Sequence, residues 1–276
     1  MAVRRPFAAA IAALAITAGP AQAQSFDPGL LNLLRGGIQL FQGLNFSNLN
    51  PNQEVQLGRQ MNQQMLSQRF RPNRDRALAA YINDVGQRLA AQSDRPDLPW
   101  QFQVVDSREI NAFATMGGYV YITTGMLGFL SNEAELAGVL AHEIGHIEGR
   151  HLPQRLGQSY LQQAGLSALG IDSDRFTQVA VDLALNRPNS RSAEFDADAR
   201  GLRIMERAGY APAGLISVMN KLASLGNNGM TFLSTHPDSR ERARALTAQL
   251  NGDRNRINQG FGLDDRSYRQ QVLARL

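Results

Sequence analysis

The 276-residue chain contains no cysteine. That excludes a disulfide framework, a thiolate metal site, a cysteine nucleophile and a cysteine lipid anchor. Lysine is nearly as scarce: Lys221 is the only one, so the positive charge is almost all arginine. The net charge is +4, of which Arg4 and Arg5 supply two, and such a balance gives no basic footprint for nucleic acid. The apolar run from Phe7 to Ala18 is too short to span a bilayer, and Gly36-Gly37 breaks the next one, so no transmembrane helix is expected in the mature chain. Histidine occurs four times, as His142, His146, His151 and His236. With so few, their spacing carries information.

A content of 43% hydrophobic and 19% charged residues is that of a globular protein with room for one sizeable core. Arg4 and Arg5, the apolar run and then Ala21-Gln22-Ala23 follow the order of a secretory signal peptide over residues 1–23, which predicts export. Residues 24–52 read as an N-terminal arm, apolar enough in LLNLLRGGIQLFQGL for peripheral membrane contact.

The stretch SNEAELAGVLAHEIGHIEGRH, Ser131 to His151, organises the rest. Asn132 with Glu135 three residues on makes a capping box, and Leu136, Val139, Leu140, Ile144 and Ile147 repeat at helical spacing along one stripe. In that helix His142 and His146 are one turn apart on one face, so both imidazoles reach a single ion. Glu143 lies about 100° round the helix from His142, out of direct ligation yet within reach of a water on the ion, where a general base belongs. With four histidines and nine glutamates, chance gives the pattern H-E-x-x-H about two times in a thousand, so a metal site outweighs coincidence. His151, five residues beyond His146, is expected to face away from the ion.

Two helices precede this stretch, Glu54 to Phe70 and Arg76 to Ala91, followed by strands at Trp100 to Val105 and Gly117 to Thr123 that predict a small sheet or hairpin beside the metal helix. An edge strand there suits an extended peptide. After it come helices over Asp172 to Asn186, Arg191 to Ala208 ended by Gly209, Leu215 to Leu225, and Asp238 to Leu250. Glycines at Gly165, Gly170 and Gly226 to Gly229 mark loops, and residues 251–276 form a C-terminal tail with an amphipathic end. The fold class is therefore α+β, mainly helical, with a zincin-type catalytic domain over residues 53–250.

A catalytic zinc needs three protein ligands and an open position. Without cysteine, and with only two histidines in reserve, a carboxylate is the expected third, and Glu194 is the candidate. Asp198, one turn on, is placed to accept the outer N–H of His142 or His146 and fix its tautomer.

The segments NAFATMGGYVYITTGML, HEIGH, SRSAEFDADARG and STHPDSRERA, in this order, resemble the gluzincin zinc endopeptidases that include the CAAX prenyl protease, the heat-shock membrane protease and the periplasmic outer-membrane-maintenance proteases. The resemblance covers roughly residues 53 to 250 and is nearest to the soluble periplasmic members, without a tetratricopeptide array. It implies one Zn2+ per chain on His142, His146 and Glu194, with Asp198 as partner and Asn111, Gly117 and Gly118 on the substrate-side strand. It also implies that His236 and Arg242 lie near the ion, His236 either donating to the oxyanion or blocking the open position. Polypeptide substrates, envelope or outer-membrane assembly partners and a periplasmic location follow from the same likeness. Thr115-Met116 departs from the Leu-Pro common in relatives.

The expected activity is peptide-bond hydrolysis by a zinc-activated water with Glu143 as base, acting on exported, misfolded or envelope proteins. The alternative is a zinc-containing chaperone or adaptor of outer-membrane protein quality control, with its site kept shut.

Overall fold

In the computed structural model the described residues are 49–164, 173–225 and 231–276. The expectations for the signal peptide, for residues 24–48 of the arm, and for the glycines at 165, 170 and 226–229 lie outside them.

Helix α1 (Pro51–Gln68) starts three residues before the expected Glu54, because Asn50 and Gln53 form a reciprocal capping box and Pro51 fits the first turn. Helix α2 (Arg76–Ala90) is capped by Asp75. Three strands follow, β1 (Gln101–Val105), β2 (Ala112–Ala114) and β3 (Tyr119–Thr123), in the sheet order β1-β3-β2. β1 runs parallel to β3, whereas β2 is antiparallel to it and forms an edge. Along β3 the period of two divides the core: Val120 and Ile122 join one apolar cluster with α2, and Tyr119 and Tyr121 join another with α1.

The helix α3 (Thr124–Phe129) leads into α4 (Glu133–Glu148), the H-E-x-x-H helix. Asn132 caps it by accepting from the Glu135 N–H at 2.9 Å. Only half of the expected box forms: the Glu135 carboxylate accepts instead from the Ser131 N–H, Ser217 and Lys221. The expected single stripe is also too narrow, since every residue from Ala134 to Glu148 is buried. A helix apolar on most sides is the centre of a core, not its wall.

After α4 come α5 (His151–Ala164), α6 (Ser173–Asn186), α7 (Arg191–Ala208), α8 (Ala213–Leu225), the short α9 (Thr231–Thr235) and α10 (Ser239–Gln249), of which α7 and α8 pack most extensively against α4. Gly209 ends α7 as expected, and does so in a left-handed turn at φ 83°. The contact between α4 and α7 is the one that builds the site. A Cβ added to Gly145 would meet the Ala197 carbonyl oxygen at 2.5 Å, and one on Gly201 would meet the Ala141 backbone at 3.1 Å, so glycine on each helix lets the two backbones touch.

The C-terminal residues form α11 (Arg254–Asn258) and α12 (Asp265–Gln271), and they dock onto the core. Tyr268 and Val272 are fully buried in the main cluster, and the Tyr268 hydroxyl donates to the Leu127 carbonyl at 2.7 Å.

Candidate metal centre

His142 and His146, one turn apart on α4, direct their Nε2 atoms to one point and come within 3.1 Å of each other. Glu194 enters from the first turn of α7, which Ser190 caps, with Oε1 3.2 Å from His146 Nε2 and Oε2 3.5 Å from His142 Nε2. His236, just past α9, adds Nδ1 at 3.0 Å from Glu194 Oε1 and 3.3 Å from His142 Nε2. One ligand atom from each of the four lies within 4.8 Å of all the others, and all four residues are buried. Two imidazoles, a carboxylate and a third imidazole, with no sulfur, form a donor set and spacing that fit one borderline divalent ion such as zinc.

The electrostatics point the same way. Burial and the Arg242 charge oppose protonation of His142, yet Asp198 and Glu194 beside it raise its pKa to about 9. Burial instead drives His146 well below its ordinary value, leaving it neutral as a ligand must be. Burial pushes the Glu194 carboxyl up, but His236, Arg242 and His146 more than offset this and hold it well below the carboxylate range.

The outer nitrogens are held too. His142 Nδ1 lies 2.9 Å from Asp198 Oδ1, and Arg242 bonds both Asp198 oxygens, from Nε and Nη2, at 2.7 Å. Arg242 is completely buried, and its Nη1 is 2.5 Å from Glu194 Oε2. One guanidinium thus ties together two carboxylates of α7, those of Glu194 and Asp198.

Glu143 turns one oxygen toward the same space. Its Oε1 is buried, lacks a hydrogen-bond partner and lies 3.7 Å from His236 Nε2. Burial raises its pKa, against the pull of His236 and His142. A cleft bounded by Phe113, Ala114, Thr115, Leu152 and His236 opens onto it.

The sequence profile of peptidase family M48 matches residues 76–250. The chain belongs to peptidase family M48. It is 30% identical to the beta-barrel assembly-enhancing protease of Yersinia pestis over 233 residues, which is 73% of this chain and 48% of that protein. The protein of the same name from Escherichia coli strain K12 is 30% identical over 223 residues, 72% of this chain and 46% of that one. The mitochondrial metalloendopeptidase OMA1 of Arabidopsis thaliana is 34% identical over 166 residues, 59% of this chain and 34% of that one. The chain spans about half the length of the beta-barrel assembly-enhancing proteases it matches.

Within this M48 chain, His142, Glu143, His146, Glu194, Asp198, His236 and Arg242 all converge on one centre. Gly117 and Gly118 do not belong to a strand: they form the turn between β2 and β3, at φ 71° and 97°, where added Cβ atoms would strike the α1 backbone and the Pro99-Trp100 backbone. Strand-like alternation after the pair drew the boundary two residues early, whereas positive φ at both glycines makes a turn. Asn111 sits just before β2. Its carbonyl accepts from the Thr123 N–H, and Thr115 donates to the Tyr119 carbonyl, so Asn111, Phe113 and Thr115 face β3 and Ala112 and Ala114 turn their backbone groups to the open edge.

His151 does not join the four donors, as expected, and packs instead against the outer nitrogen of His146. Helix α4 stops at Glu148, Arg150 takes a left-handed conformation at φ 55°, and His151 opens α5 folded back against His146. His146 Nδ1 lies 2.8 Å from His151 Nδ1, and His151 Nε2 lies 3.1 Å from Asp196 Oδ2. The signal was Gly149, a helix stop just past the last apolar residue. Asn189 and Arg155 also reach the centre without a sequence signal: Asn189 donates to Glu194 Oε1 at 2.7 Å, and Arg155 to Asn189 Oδ1 at 2.7 Å. Among the described residues no helix is long and apolar enough to cross a membrane.

Proposed function

We propose that this M48 chain is a zinc endopeptidase with His142, His146 and Glu194 as metal ligands and Glu143 as general base. The observation that carries the reading is the unpartnered, buried Glu143 Oε1 beside four converging ligand atoms. Bound there, zinc would supply Lewis acidity, lowering the pKa of a water to about 7 and polarising the scissile carbonyl. Glu143, its proton affinity raised by burial, takes the proton of the attacking water and delivers it to the leaving amide nitrogen. The outer edge of β2, where Ala114 is half-buried and Ala112 buried, is the strand an extended polypeptide would pair with. Asn111, whose Oδ1 is buried without a partner, lies at the start of this edge and serves the same strand.

The substrates proposed are misfolded or envelope polypeptides in the periplasm, reached through the signal peptide over residues 1–23. The likeness to beta-barrel assembly-enhancing proteases supports this class and a partner in outer-membrane assembly. Glu143→Gln in the purified full-length chain should keep zinc and lose casein hydrolysis. Undiminished hydrolysis would remove Glu143 from the reaction.

A second reading rests on His236. Its Nδ1 completes a fourfold donor set, which fills the position a substrate needs. The peptidase is then latent until His236 swings out, and a chain that never releases it acts as a zinc-containing chaperone or adaptor. His236→Ala should raise casein turnover if His236 is a gate. No cleavage by either form, with aggregation still suppressed, favours the chaperone.

A further inference from the structure

Asn189 lies in the loop between α6 and α7, where its backbone N–H donates to the Thr235 carbonyl at 2.9 Å, one residue before His236. Its side-chain Nδ2 is 2.7 Å from Glu194 Oε1 and 3.5 Å from both His146 Nε2 and His236 Nδ1. The amide nitrogen therefore borders the four-donor group without belonging to it.

Arg155 decides which end of the amide faces inward. Its Nη1 donates to Asn189 Oδ1 at 2.7 Å, and its Nη2 is fixed by the carbonyls of Leu183 and Arg187, both at 2.9 Å. A guanidinium carries donors only, so the amide oxygen must turn to Arg155 and the NH2 to the centre. The flipped amide would set two donors against each other and an oxygen against the Glu194 carboxylate. Asn189 is thus barred from offering Oδ1 as a ligand.

The other oxygen of Glu194 is held as well, with Oε2 2.5 Å from Arg242 Nη1. The carboxylate is clamped at both ends, by a neutral amide on one side and a cation on the other. We propose that Asn189, aimed by Arg155, is a positioning residue that fixes the Glu194 carboxylate in the orientation in which it meets the metal. This rests on the reading of Glu194 as a metal ligand. A neutral donor suits this role because it orients the carboxylate while leaving its negative charge for the ion. Arg155, on α5 one turn beyond His151, couples the same carboxylate to the α5–α6 pair, so the ligand on α7 is set by elements outside its own helix.

The test uses the full-length chain as wild type, Asn189→Ala, Arg155→Met and the double variant, each stripped and titrated with zinc against a chromophoric chelator. Cobalt(II) absorption spectra and the unfolding midpoint of each metal-free form accompany the titration. Asn189→Ala should weaken zinc binding about 10- to 100-fold, the usual effect of removing a partner that orients a ligand, and should alter the cobalt bands, with the metal-free midpoint unchanged. Arg155→Met should weaken zinc in the same direction by releasing the amide, and the double variant should be no weaker than Asn189→Ala alone. Wild-type zinc affinity and an unaltered cobalt spectrum in Asn189→Ala overturn the proposal, as do strictly additive losses in the double variant. If Arg155→Met does not fold, Asn189→Ala decides by itself. A wild-type chain that takes up no zinc refutes the ligand reading first, and this inference falls with it.

Discussion

His142 and Asp198 meet at 2.9 Å through Nδ1 and Oδ1, and the contact fixes the imidazole with Nε2 turned to the metal centre. A carboxylate on the outer nitrogen orients the ring and raises its basicity as a ligand. Asp198→Asn keeps the shape but loses the charge and sets an amide NH2 against the Arg242 donors. It should lower zinc affinity about 10- to 100-fold in a competition titration. An unchanged affinity would mean that the α4 backbone alone orients His142.

Arg242 is fully buried between two carboxylates, so its removal strands buried negative charge. Arg242→Met should cost about 3–5 kcal/mol in the metal-free chain by urea unfolding. The pH dependence follows from Asp198. Burial pushes its carboxyl up, but Arg242 and His142 overcome this and hold it at about 2, below the ordinary 3.8. A depressed folded-state pKa stabilises above the ordinary value and is lost as pH falls toward 2. This contribution, on the order of 2 kcal/mol, should fade between pH 4 and 2 in the metal-free wild type. In Arg242→Met the folded-state pKa moves up toward the ordinary value, so the acid loss between pH 4 and 2 should shrink, and an identical acid profile would contradict the assignment.

Gly145 links the fold to the site. Alanine there would drive a Cβ into the Ala197 carbonyl and push α7, with Glu194 and Asp198, away from α4. Overpacking of this kind costs about 1–3 kcal/mol. Gly145→Ala should lower both the unfolding midpoint and zinc affinity, although the glycine touches no metal. Stability lost with zinc affinity intact would show that the helices reseat without moving Glu194.

Much of this centre was legible in one dimension because its parts lie on regular elements. His142 and His146 are one helical turn apart, as are Glu194 and Asp198, and helical periodicity alone puts each pair on one face. Helix α4 lost its predicted stripe because a helix at the middle of a core buries all its sides, which no single-face pattern encodes. His151 escaped helical periodicity because Ser131 to His151 is not one continuous helix: i+5 in such a helix points elsewhere, and only the left-handed Arg150 folds it back. Asn189 and Arg155 were silent because a loop residue and an arginine on a neighbouring helix meet only through tertiary packing. The strand boundary at Gly117 and Gly118 failed because a glycine pair before alternating residues reads equally as the start of a strand or as the turn before it.

The central claim is that one ion sits between the Nε2 atoms of His142 and His146 and the carboxylate of Glu194. The direct measurement is X-ray diffraction from crystals of the zinc-loaded full-length chain, recorded on both sides of the zinc absorption edge. A single anomalous peak about 2.0–2.3 Å from His142 Nε2, His146 Nε2 and a Glu194 oxygen is the predicted result. No peak there, or a peak held by other residues while Glu194 stays bound to Arg242 and Asn189 alone, would contradict it.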